Sequence, residues 1–358
     1  MIASQLNQLL TVGVQHGASD IHFRPGDAPT YRVNGALHPL GETRLQPSDT
    51  REIAMNLIAD PKVRDALDSI QEWDGSYAVP GAARFRVNVY RQRSSLAIVM
   101  RIIPVDVPTV EALGLPAVIK KIAREERGLI VVTGATGSGK TSTLASMIDH
   151  INRTERKHII TIEDPIEFLH RNHMSSVSQR EIGVDTANFK VALRAALRQD
   201  PDVILVGEMR DTETIDIALK AAETGHLVLS TVHTVDAATT ISRLISVFPA
   251  EEQYGVRLRL ADNLKASVSQ RLLPRVDGRG RVLAQEIMVH TANVAEHIRD
   301  PEKTSGLKDV LMRGHDTYGM QTFDQHITFL YRSGVITLEV AKAAATNAAD
   351  FERALNFD

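Results

Sequence analysis

A chain of 358 residues, 43% of them apolar, is long enough to bury two hydrophobic cores, since one domain usually takes about 100 to 200 residues. A formal net charge of −3, with acids and bases intermixed, excludes a molecule-wide basic field for nucleic acid, and the lack of any cysteine excludes disulfides, thiolate nucleophiles and cysteine-ligated zinc. No apolar run approaches the roughly 20 residues of a membrane helix and residues 1–10 lack a signal-peptide pattern, so a cytoplasmic protein with at most peripheral membrane contact is expected.

Residues 2–15 are amphipathic and precede Ser19-Asp20-Ile21-His22-Phe23. Residues 30–37 then alternate around Asn34-Gly35, which signals a hairpin. Residues 49–70 read as helices interrupted at Asp60-Pro61, and 83–88 and 96–103 read as strands by alternation and β-branched content. This opening unit is α+β and is expected to span 1–104. Prolines 104, 108 and 116 with Gly114 resist regular structure, which places a linker at 105–116.

From 117 to 358 the pattern changes. Residues 129–133, 159–163, 203–206 and 227–232 are short apolar runs separated by helical patterns, as strands buried on both faces of a largely parallel sheet would be. The second domain is therefore expected to be α/β and doubly wound. Residues 276–282 read as a hairpin turn, and from about 290 the chain reads as mostly helical. The thirteen histidines are scattered, and pairs such as His170 with His173 or His290 with His297 have no third ligand nearby, so zinc is not expected.

Chemistry concentrates in the second domain. After the strand at 129–133 comes Gly134-Ala135-Thr136-Gly137-Ser138-Gly139-Lys140-Thr141, a G-x-x-x-x-G-K-[ST] loop whose glycines let backbone N–H groups turn inward around phosphate oxygens. Lys140 can reach the β- and γ-phosphates, Thr141 can offer its hydroxyl to Mg²⁺, and the helix opening there, with Ser142 in its first turn, presents its positive end to the anion. Mg·ATP is the expected ligand.

Two strand ends supply carboxylates. Residues 202–208 end in Gly207-Glu208, placing Glu208 at the carboxyl edge of the sheet, where a water-activating carboxylate belongs. Residues 160–167 bring Glu163 and Asp164 to a similar edge, able to hold Mg²⁺ or the attacking water. Read alone, each cluster is equally a solvated strand end. His233 follows the strand at 227–232 and can donate to a γ-phosphate, although by itself it reads first as a loop histidine. Arg194 and Arg198, four apart within 189–199, share one helical face: a solvated stripe, or charge offered to a neighbour's phosphates.

In order, the phosphate loop, residues 160–167, Gln179-Arg180-Glu181, residues 195–202, Gly207-Glu208-Met209-Arg210-Asp211 and residues 221–226 resemble the secretion and pilus-motor ATPases, and within them the pilus retraction motors. The resemblance extends from Ser19 to Asp324. It implies a PAS-like N-terminal domain followed by a RecA-like P-loop ATPase domain, assembled as a homohexameric ring. It further implies Glu208 as the catalytic carboxylate with Glu163 as helper or alternative, and Glu163 as a second Mg²⁺ ligand beside Thr141. His226 and His233 would form a histidine box, and Arg86, Arg101 and Arg210 would join the arginines available to the γ-phosphate. The implied partners are an inner-membrane pilus platform protein and a paralogous pilus ATPase, with no nucleic acid.

Members that extend pili or secrete carry a four-cysteine zinc module that this chain lacks, which favours retraction. Against that, retraction motors resemble Ala-Ile-Arg-Asn-Leu-Ile-Arg-Glu-Gly-Lys where this chain has Asn293-Val294-Ala295-Glu296-His297-Ile298-Arg299-Asp300-Pro301-Glu302-Lys303, and Ala135 stands where proline is frequent. The alternatives are an accessory pilus or type II secretion-like motor and, from another class, a nucleotide-binding assembly regulator with little turnover.

Overall fold

The computed structural model describes residues 3–103 and 106–357, so the expected domain end at Pro104 and the first linker residue, Val105, lie outside the described residues. The chain separates into two compact units. One holds the chain up to Asp106 with Pro165–Leu169 and Gly183–Asp185, and the other holds Val107–Asp164, His170–Ile182 and Thr186–Asp358. Among the described residues no helix is long and apolar enough to cross a membrane.

The first unit runs α1 (Ala3–Gln15), β1 (Ala18–Phe23), β2 (Thr30–Val33), β3 (Ala36–Pro39), α2 (Pro47–Leu57), α3 (Pro61–Asp65), β4 (Glu72–Val79), β5 (Ala83–Gln92) and β6 (Ser95–Ile103). Its six strands form an antiparallel sheet in the order β3-β2-β1-β6-β5-β4. Asn34 and Gly35 both take positive φ, 49° and 84°, as a tight two-residue hairpin requires. Asp60 caps α3 by accepting from the Lys62 amide at 2.8 Å, with Pro61 pre-set for the first turn. Phe85, Val87 and Val89 point into the core with Leu6, Leu10 and Ile53, while Arg84, Arg86 and Asn88 alternate outward. β4 was not expected, although Trp73, Tyr77 and Val79 alternate toward the core; Gly75 and the exposed Glu72, Asp74 and Ala78 leave the pattern weak.

The second unit runs α4 (Val118–Ala123), β7 (Gly128–Thr133), α5 (Lys140–Thr154), β8 (His158–Glu163), β9 (Ser176–Glu181), α6 (Phe189–Ala196), β10 (Val203–Val206), α7 (Thr212–Glu223), β11 (Leu227–Val232), α8 (Ala237–Ser246), α9 (Ala250–Asn263), β12 (Leu264–Pro274) and β13 (Arg281–Val289). There follow α10 (Ala292–Arg299), α11 (Leu307–Arg313), α12 (His315–Tyr318), α13 (Phe323–Arg332), α14 (Leu338–Ala344) and α15 (Ala348–Phe357). The sheet order is β13-β12-β7-β11-β10-β8-β9, and only β13 is antiparallel to its neighbour.

Every residue of β7, β10 and β11 is buried, because helices cover both faces. Leu144, Met147 and Ile148 of α5 pack on one face, and Leu193, Leu219 and Ile241 of α6, α7 and α8 on the other. Each such side chain contributes about 1.5–3 kcal/mol. The expected α/β fold is present, with two corrections. Strand β9 was not expected, whereas β12 and β13 flank the expected hairpin turn; and α6 stops at Ala196, so Arg198 lies in the turn beyond it rather than on a face shared with Arg194.

Candidate nucleotide-binding site

β7 delivers the chain into the loop and α5 takes it out. Gly134 has φ +142°, and a Cβ there would lie 2.5 Å from the Gln270 carbonyl oxygen and 2.5 Å from Ser138 Oγ, so neither the conformation nor the space admits another residue. Gly139 turns left-handed, φ 91°, and starts α5 without any side-chain cap, which leaves the first N–H groups of that helix for an incoming acceptor. Ala135, Thr136 and Gly137 are exposed at the apex, whereas Ser138 and Lys140 are buried.

Lys140 Nζ folds back over the loop and donates to the carbonyls of Gly134 at 2.9 Å and Ala135 at 3.0 Å. Thr141 and Ser142 are half-buried in the first turn of α5. Beneath the loop lies β12: Gln270 Nε2 donates to Thr143 Oγ1 at 2.7 Å, and Thr133 Oγ1 donates to Ser269 Oγ at 2.9 Å. Sequence reasoning missed this floor. Its signal is Ser267, Ser269 and Gln270, polar residues set among Ala266, Val268, Leu272 and Leu273.

The parallel register sets what faces the loop. Val206 is level with Ile162 and with Ser230, and Thr133 is level with Val232. Gly134, Glu163, Glu208 and His233 therefore all emerge at the carboxyl edge of four adjacent strands. Glu163 Oε1 accepts from Thr161 Oγ1 at 2.6 Å and Gln179 Nε2 at 3.1 Å, which fixes its orientation. Glu208 Oε2 lies 2.8 Å from Arg210 Nε and 3.8 Å from His233 Nε2. The Gly207 turn before it is pinned by its amide to Ile162 O at 2.8 Å and by Thr231 Oγ1 to Gly207 O at 2.7 Å.

Burial, then the Lys140 ammonium and the Arg210 guanidinium, holds His233 below the ordinary imidazole range against the opposing pull of Glu208. At neutral pH His233 is an uncharged imidazole beside a lysine and a glutamate, able to donate or accept one hydrogen bond.

Other expected residues are placed differently. His226 sits before β11, where its carbonyl accepts from the Gly128 amide at 3.0 Å and its Nδ1 lies 3.0 Å from Ala221 O. That is the amino edge of the sheet, about 20 Å of strand away from the phosphate loop, so the structure separates His226 from His233. Arg194 is engaged by Glu213 of α7 at 2.5 Å, and Arg210 by Glu208. Arg198 is exposed beyond α6. Within the first unit, Arg86 and Arg101 are directly opposite one another on β5 and β6, and both are exposed. Arg101 Nε donates to Asp20 Oδ1 at 3.0 Å.

The chain matches the type II/IV secretion system protein family over residues 1–344. It is 44% identical over 340 residues to the type IV pilus retraction ATPase PilT of Pseudomonas aeruginosa, covering 95% of this chain and 98% of the relative. It is 42% identical to the type IV pilus ATPase PilU of the same organism, covering 97% of this chain and 90% of the relative. Among solved structures, the pilus retraction motor PilT with bound ADP superposes with a TM-score of 0.88 at 44% identity, covering 97% of this chain and 99% of that one.

Proposed function

The chain belongs to the type II/IV secretion system protein family, and from that membership we propose that it is an ATP-hydrolysing motor that powers retraction of a type IV pilus. The observation that carries the reading is the meeting, at one sheet edge, of a phosphate-binding loop, two carboxylates and a neutral imidazole. Backbone N–H groups of residues 134–139 and the N-terminus of α5 receive the β- and γ-phosphates. Lys140 exchanges the neutral carbonyls of Gly134 and Ala135 for anionic phosphate oxygens, a gain in hydrogen-bond strength.

Glu208, once released from Arg210, accepts the proton of the attacking water as the water oxygen bonds to the γ-phosphorus and ADP leaves. Glu163, oriented by Thr161 and Gln179, is the alternative base. His233 registers the γ-phosphate by a single hydrogen bond. The Thr141 hydroxyl and the Glu163 carboxylate are oxygen donors that suit Mg²⁺, an ion that keeps several waters and takes the rest of its shell from substrate phosphates. When bound, Mg²⁺ neutralises phosphate charge.

We assign Arg86 and Arg101 to the phosphate of another copy in a homohexameric ring. That ring works at the cytoplasmic face of the inner membrane, against a pilus platform protein and beside a paralogous ATPase. An accessory pilus motor is the second reading, favoured by the departure at residues 293–303 and by the 42% identity to PilU. Purified protein is expected to release phosphate from Mg·ATP; Lys140→Ala and Glu208→Ala abolish release, and Glu208→Ala still binds ATP by calorimetry. Normal turnover by Glu208→Ala moves the base elsewhere, and no release by the unaltered protein leaves an assembly regulator. Deleting the gene should give hyperpiliated cells that do not twitch. Bald cells would sink the retraction assignment.

A further inference from the structure

Glu286 lies inside β13 and is only 7% exposed. Its Oε1 accepts from the Ala237 amide at 2.9 Å, and Ala237 is the first residue of α8. That helix already has an N-cap, because Asp236 Oδ1 accepts from the Thr239 amide at 2.7 Å. The two carboxylates thus satisfy two of the four N–H groups that any helix start leaves unpaired. Ahead of the cap runs His233-Thr234-Val235-Asp236, the whole connection from β11. Thr234 is tied into the same knot through Thr240, whose Oγ1 lies 2.6 Å from Thr234 Oγ1 and donates to Asp236 O at 2.6 Å.

A strand that needed only to pack would place an apolar residue at 286, since burying an acid is costly. The charges facing it compensate incompletely: Asp236 opposes its ionisation, and Arg271 of β12 and Lys308 of α11 favour it. Lys308 is itself 2.8 Å from Asp324 of α13. His326 of α13, whose Nδ1 accepts from the neighbouring Gln285 amide, is held neutral by burial. Among the described residues no full counter-charge is therefore dedicated to Glu286, and its bond to the Ala237 amide joins it to the helix start that follows His233.

We propose that Glu286 is a positioning residue that anchors the His233 loop to β13 and so sets where the imidazole stands beside Glu208 and the phosphate loop. The proposal rests on the motor reading above for its kinetic consequences, though not for its structural ones. Asp236 and Thr240 shape the loop locally, whereas Glu286 is the tie from that loop to a neighbouring strand.

The test compares Glu286→Leu, which removes the acceptor, with Glu286→Gln, which keeps it, each in the full chain and each checked for an unchanged far-ultraviolet circular dichroism spectrum. Glu286→Leu should lower kcat for phosphate release about tenfold with KM for Mg·ATP altered less than twofold, and Glu286→Gln should restore kcat to within twofold. Added to His233→Ala, Glu286→Leu should cost less than a further twofold. Hydrogen exchange of the amides of residues 234–240 should speed at least tenfold in Glu286→Leu and stay slow in Glu286→Gln.

Losses that multiply with His233→Ala, or a loss that Glu286→Gln fails to restore, would overturn the assignment. So would unchanged exchange at 234–240 in Glu286→Leu. The exchange readout needs no turnover. If the unaltered protein releases no phosphate, the motor reading fails and exchange alone decides the role of Glu286.

Discussion

Replacing Glu286 by glutamine isolates the electrostatic cost of a buried acid. Burial pushes this carboxyl from 4.5 up to about 7, partly offset by the Ala237 amide, Arg271 and Lys308. The native state therefore keeps its proton through a window in which the unfolded chain has released it. The sign follows: the stability contribution is fully present below pH 4.5 and is lost as pH rises through about 7. The gap between the two values corresponds to about 3 kcal/mol at roughly 1.36 kcal/mol per pH unit. Glutamine does not ionise, so the stability of Glu286→Gln relative to the unaltered protein should rise by that amount between pH 4.5 and 8. For a unit of this size, about 2–4 °C per kcal/mol makes the difference in Tm widen by roughly 6–12 °C. Scanning calorimetry of both proteins without nucleotide, following the transition of the second unit at four pH values, measures it. A pH-independent offset would mean that Glu286 is ionised in the fold and that the reasoning from burial is wrong.

Two further outcomes follow from geometry. Gly134→Ala sets a Cβ 2.5 Å from both the Gln270 carbonyl and Ser138 Oγ at a φ of +142°, a strain of about 1–3 kcal/mol, so Mg·ATP affinity by calorimetry should fall about five- to 150-fold. Unaltered affinity would show that the loop tolerates displacement toward β12. Arg86→Leu removes one of two like charges held opposite each other, so the first unit should gain about 0.2–1 kcal/mol by thermal melting while phosphate release by the assembled protein falls at least tenfold. A variant that is more stable and fully active would return Arg86 to the ordinary surface.

How far the fold could be read from the chain depended on where its polar groups went. β7, β8, β10 and β11 were legible as apolar runs because helices bury both of their faces. β12 and β13 were legible only as the arms implied by the hairpin turn at 276–282, because Ser267, Ser269, Gln270, Gln285 and Glu286 interrupt them with groups that sequence reasoning assigns to loops. Three of those groups find their partners in other elements: Ser269 with Thr133, Gln270 with Thr143 and Glu286 with Ala237. Such bonds join residues 49 to 136 positions apart, and no local pattern announces them. β9 is illegible for a different reason, being the sheet's polar edge, with the sequence Ser176-Val177-Ser178-Gln179-Arg180-Glu181.

The same limit governs the candidate site. Lys140 and Thr141 stand out in the chain because the loop is contiguous, whereas Glu163, Glu208 and His233 read alone as strand ends or a loop residue, and the parallel register is what sets them at one edge. His226 carried the same residue type, yet it begins its strand where His233 ends it, and the direction of β11 alone separates them. Arg86 and Arg101 are fifteen positions apart and become neighbours only through the β5–β6 register. Once paired, they say something that neither says alone. Like charges placed opposite each other destabilise a sheet, and Asp20 bonds only Arg101 of the two. Folding by itself would favour an acid or a neutral residue at one of these positions. For the phosphate role proposed for this exposed pair, the stability gain expected for Arg86→Leu measures what the like charges cost the unit.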